Sequence, residues 1–115
     1  MNPFELFQSR RCIRSYTGAP VSDGELQKIL QAANTAPTAM GQYENVHLTV
    51  ITDAKLLAEI EAACAEFMGQ PGSHPLYGAP TLVVASSRFP SEAMANPAYS
   101  DAAILVHTML SLIHI

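Results

Sequence analysis

The 115-residue sequence predicts an α+β fold, with helices around a central β-sheet. Three observations carry that expectation. Two runs of apolar, β-favouring residues, Val46–Thr52 and Thr81–Ala85, stand in the middle of the chain; segments with apolar residues at helical spacing surround them; and Gly, Pro or a capping residue marks most junctions. A chain of this size hides roughly two-thirds of the surface its unfolded form exposes, so an ordinary apolar core suffices without disulfide staples. No repeat, low-complexity tract or interdomain linker interrupts it, and 1–115 is read as a single domain.

Asn2 followed by Pro3 starts the first helix, with Asn as cap and Pro at the first helical position; Phe4 and Phe7 then share a face and the helix ends near Ser9. Arg10 to Tyr16 is polar with β-favouring residues and closes in Thr17-Gly18-Ala19-Pro20, so it is extended or irregular. Ser22 with Glu25 forms a capping box, and Leu26, Ile29, Leu30 and Ala33 follow at helical spacing until Pro37 forbids continuation. The β-branched run from Val46 reads as a strand. Asp53 caps the next helix, with Leu56, Leu57, Ile60, Ala63, Cys64 and Phe67 on one stripe and Gly69 at its C-cap. Pro80 introduces Thr81–Ala85, whose unbroken apolar character predicts a strand covered on both faces and central in its sheet. Ser100 or Asp101 is expected to cap a closing helix that is apolar on nearly every side and must be enclosed by its own protein or a partner's.

A composition of 49% hydrophobic and 14% charged residues excludes intrinsic disorder and collagen-like chains. A formal charge of −4 argues against a nucleic-acid surface, which needs a broad basic face. Cys12 and Cys64 are the two cysteines and have no metal-like spacing, so neither a disulfide framework nor a zinc site is expected, and a reducing cytoplasm is the default compartment. Met1 to Arg11 lacks the basic start and apolar run of a secretory signal. The stretch from Ala102 to Ile115 is shorter than the roughly 20 residues of a membrane span and carries His107 and His114, so no membrane partner is expected.

Chemistry has two candidate seats. Arg10, Arg11 and Arg14 supply half of the six cationic Lys and Arg residues, and no Asp or Glu lies between Glu5 and Asp23. Guanidinium forks match phosphate oxygens in bidentate geometry, so the cluster suits a small phosphorylated ligand. A solvated basic turn, or pairing with distant carboxylates such as Glu44 or Glu92, is the reading composition alone favours, and the cluster by itself does not decide. The second seat is Ala36–Gln42, where a helix stops at Pro37 and small residues leave backbone N–H groups open to a flat ligand. A plain helix-to-strand loop is the alternative. His47, His74, His107 and His114 share no metal-binding spacing, and His107 on an apolar helix reads as a satisfied core residue.

In their order along the chain, these segments resemble the nitroreductase family of FMN-dependent oxidoreductases. The resemblance rests on Arg10-Arg11-x-x-Arg14-x-Tyr16, then Pro20-Val21 and the capped helix, then Ala36-Pro37-Thr38-Ala39. Val46–Asp53, Tyr77-Gly78-Ala79-Pro80-Thr81 and Asp101-Ala102-Ala103 continue it over nearly the whole chain. It implies a cytoplasmic, nitroreductase-like homodimer with FMN at the subunit interface. Arg10, Arg11 and Arg14 would hold the phosphate and ribityl chain and place positive charge toward the pyrimidine edge; Cys12 stands where Ser is common, leaving a backbone contact. Pro37, Thr38 and Ala39 would lie against the flavin from the other subunit. Gly41 stands for a frequent Asn and Tyr43-Glu44 for a frequent Gln-Pro.

The implied activity passes hydride from NAD(P)H through FMN to a nitroaromatic, quinone or similar acceptor in ping-pong fashion. The cofactor does the electronic work, so no side chain is assigned as nucleophile, general base or metal ligand. Relatives resembling this sequence continue past the apolar helix, so the chain reads as an amino-terminal portion of a nitroreductase-like domain, its carboxyl part missing and its last residues, Ser111–Ile115, atypical. Two alternatives stand: a noncatalytic fragment unable to hold FMN, and a relative that uses its flavin for dehydrogenation, dehalogenation or flavin breakdown.

Overall fold

The computed structural model describes residues 2–38, 41, 43–89 and 91–114. In chain order these form α1 (Pro3–Ser9), α2 (Asp23–Ala33), a 3-10 turn at Tyr43–Asn45, β1 (Val46–Ile51), α3 (Ala54–Phe67), β2 (Leu82–Ser87), a second 3-10 turn at Glu92–Met94 and α4 (Ala95–His114). The α+β class is as the sequence predicts. The backbone groups into two compact units. Unit 1 comprises Met1–Arg11, Ser22–Thr49 and Ala85–Ile115; unit 2 comprises Cys12–Val21 and Val50–Val84, so each strand runs through both.

The helix starts form on the residues whose side chains can accept orphan N–H groups. Asn2 Oδ1 accepts the Glu5 N–H at 2.9 Å while Glu5 Oε2 accepts the Asn2 N–H at 3.1 Å, a full capping box. Ser22 and Glu25 build the same device on α2, and Asp53 Oδ1 accepts the Lys55 N–H at 2.9 Å to open α3. At the far end of α3 the Gly69 N–H reaches Glu66 O at 3.0 Å and the Gln70 N–H reaches Ala65 O at 2.9 Å. That is a Schellman closure, and it needs the φ of 71° that Gly69 adopts.

In unit 1, α2 and α1 pack on α4. The inner face of α4 is Ala98, Asp101, Leu105 and Met109, at spacings of three and four, and Ala33 and Ala36 are buried with it. Burying Leu105 alone is worth roughly 1.5–3 kcal/mol. The outer stripe of the same helix leaves Tyr99, Val106 and Ile113 exposed. In unit 2 the covered positions of α3 are Leu57, Ile60, Glu61, Cys64 and Ala65.

Four details depart from the sequence reading. The closing helix starts at Ala95, not at a Ser100 or Asp101 cap, because Pro97 falls in the first helical turn, where its missing N–H costs nothing; Asp101 is instead 8% exposed inside the helix. Leu56, Ala63 and Phe67 lie off the covered stripe, Phe67 being the last helical residue before the Met68 cap and the Gly69 reversal. His107 is exposed rather than a core residue, since the buried row passes through Leu105 and Met109. Finally, β2 pairs only with β1 among the described residues, and Val84 is 40% exposed, so its apolar run is not covered on both faces. The strands are antiparallel: the Arg88 N–H reaches Asn45 O at 2.9 Å, and two residues back Ser86 Oγ reaches His47 O, two residues ahead.

Candidate functional site

The arginine segment follows α1 and has no regular secondary structure from Arg10 to Val21. It carries no helix because Arg10 leaves the helical region at φ −58°, ψ 134°, and it turns at Gly18, whose φ is 82°, with Thr17 Oγ1 accepting the Ala19 N–H. Arg10 and Arg11 belong to unit 1, Cys12 and Arg14 to unit 2, and all four side chains are exposed. Arg10 and Arg11 each have a partner within the chain.

Arg10 borders a cavity of about 230 Å³ in unit 1, shared with Leu6 and Phe7 of α1 and with His107, Leu110 and Ser111 of α4. His107 and Ser111 stand one turn apart on the same helix face, and Ser111 Oγ donates to His107 O at 3.0 Å. The sequence reading did not connect these two residues with Arg10. Their i, i+4 spacing was visible, but not the packing of α1 on α4 that brings Arg10 to them.

The second segment forms as α2 runs out. The Ala36 N–H still reaches Ala33 O at 3.0 Å, Pro37 ends the pattern, and the Gly41 N–H closes on Thr38 O at 3.1 Å with Gly41 at a φ of 67°. Ala36 is buried and Pro37 is exposed. The Thr38 hydroxyl oxygen is buried and has no hydrogen-bond partner among the described residues. A donor left in that state costs about 1–3 kcal/mol, and the Ser87 hydroxyl oxygen shares it. Ala39 lies outside the described residues.

The nitroreductase family model matches residues 7–114. The chain belongs to the nitroreductase family. Among solved nitroreductases, the FMN-bound protein of Bacteroides fragilis superposes with a TM-score of 0.81 at 25% identity, covering 99% of this chain and 65% of that one. An FMN-dependent nitroreductase of Clostridium difficile superposes at 0.78 with 29% identity, covering 96% of this chain and 54% of that one. A protein of Archaeoglobus fulgidus, named for NADH dehydrogenase and NAD(P)H nitroreductase, is 36% identical over 59 residues, which are 51% of this chain and 33% of its own length. This nitroreductase-family chain thus spans between about half and two-thirds of the two solved structures. No helix among its described residues is long and apolar enough to cross a membrane.

Proposed function

We propose that this chain contributes the FMN-binding segments of a cytoplasmic, homodimeric oxidoreductase that takes hydride from NAD(P)H and reduces a nitroaromatic, quinone or similar acceptor. The family match over residues 7–114 carries the reading, supported by relatives described as FMN-bound and FMN-dependent. The residues fit the cofactor by the chemistry of their side chains: Arg10, Arg11 and Arg14 are all exposed, and guanidinium forks match phosphate oxygens.

When bound, FMN supplies the ring that accepts and releases hydride. The chain's own residues would help to hold it. Arg10, Arg11 and Arg14 hold the phosphate and ribityl hydroxyls by charged hydrogen bonds, and Cys12 contributes its backbone N–H. Pro37, Thr38 and Ala39 would lie against the ring from the partner subunit. A second copy is favoured by the outer stripe of α4, where Tyr99 is 71% exposed in line with Val106 and Ile113.

The test is optical. Purified chain titrated with FMN should quench flavin fluorescence, co-purify yellow on gel filtration, and lose its visible absorbance on addition of NADH or NADPH. Protein that stays colourless in excess FMN overturns the binding assignment for this chain.

A further inference from the structure

We infer that His107 is a second holding residue for the oxyanion that Arg10 binds, and that the α1–α4 cavity receives a phosphate monoester. The inference rests on the reading of Arg10 as a phosphate anchor and adds a residue from another helix. Position comes first: Arg10 just past α1 and His107 on α4 line the same cavity. His107 is exposed, so its imidazole is not consumed by the core and offers an N–H donor. Arg10 already has a partner, but a guanidinium carries five N–H donors and can serve more than one acceptor.

The remaining lining sets the ligand class. No carboxylate borders the cavity among the described residues. Ser111 has its proton committed to His107 O, which leaves its oxygen as an acceptor for a protonated phosphate oxygen. Leu6, Phe7 and Leu110 supply apolar wall, and a volume of about 230 Å³ exceeds what a bare phosphate fills. The surplus suits the carbon chain of a monoester.

The experiment follows the ring signals of His107 by NMR in the full chain, titrated separately with inorganic phosphate, FMN and riboflavin. Support is a saturable shift with phosphate and FMN, none with riboflavin, and phosphate binding, read from the backbone amide signals of Arg10 and Ser111, weakened about tenfold in H107A, the scale of one hydrogen bond to a charged group. R10A should abolish the shift. His107 is exposed, so H107A should keep the wild-type circular dichroism, and the wild-type titration itself needs no variant. A His107 ring that ignores phosphate at tens of millimolar and also ignores FMN overturns the inference. Flavin bound optically while His107 stays mute overturns it alone; His107 responding to phosphate in a chain that binds no flavin supports it and overturns the FMN assignment instead.

Discussion

Glu61 accepts the backbone N–H of Leu76 at 3.4 Å, and the same oxygen lies 3.5 Å from His74 Nδ1. A carboxylate on the covered stripe of α3 therefore pins the loop that enters β2, one residue before Tyr77 takes a φ of 54°, a conformation costly for a side chain of that size. The main-chain bond matters more than the ion pair. Glu61 is 21% exposed and His74 81%, and a pair with one partner so open to water contributes little.

Replacing Glu61 by Ala should thus destabilise the chain by about 1–3 kcal/mol, the cost of a half-buried N–H left unmatched. Glu61→Gln keeps a carbonyl acceptor and should lose less than about 1 kcal/mol, and His74→Ala should stay within about 0.5 kcal/mol. Urea unfolding measures all three, and amide exchange at Leu76 should quicken in Glu61→Ala alone.

Two glycines with equally open surroundings should respond with opposite sign. A Cβ meets nothing within 4 Å at either Gly24 or Gly69, but Gly69 has positive φ while Gly24 lies inside α2. Gly69→Ala should cost about 1 kcal/mol through the strained C-cap, and Gly24→Ala should gain about 0.5–1 kcal/mol through helix propensity. Equal effects in thermal unfolding would contradict the Schellman assignment.

Thr38→Val separates a ligand-seeking hydroxyl from a structural one. Removing a buried hydroxyl that has no partner among the described residues should leave the ligand-free chain unchanged or up to about 1 kcal/mol more stable. FMN affinity should hold in the same variant, because a hydroxyl oxygen with no accessible surface does not reach the flavin. A marked loss of ligand-free stability would show that the hydroxyl is used within the fold.

Arg14→Ala should weaken FMN binding by about 1.5–3 kcal/mol, the value of a charged hydrogen bond. Fluorescence titration measures it, with Lys28→Ala on α2 as a control of equal charge change. Undiminished flavin retention would remove Arg14 from the anchor.

What was legible in the sequence was local. Asn2, Ser22 and Asp53 each cap a helix through N–H groups two or three residues away, so a short window contains the whole interaction. The start of α4 escaped because Pro97 looks like a breaker and Asp101 like a cap, whereas helical position reverses both meanings. Glu61 was passed over because its partner lies in a loop. The arginine cluster showed itself by charge density, and Thr38 through the family pattern. Its orphaned hydroxyl, and the meeting of Arg10 with His107, depend on packing that no spacing rule encodes.

With two strands in the sheet among the described residues, β1 and β2 each turn one flank of main-chain donors and acceptors away from the other. Such flanks are templates for strand addition. An extended segment joining this sheet would therefore do so on an outer flank, through main-chain hydrogen bonds rather than side-chain packing.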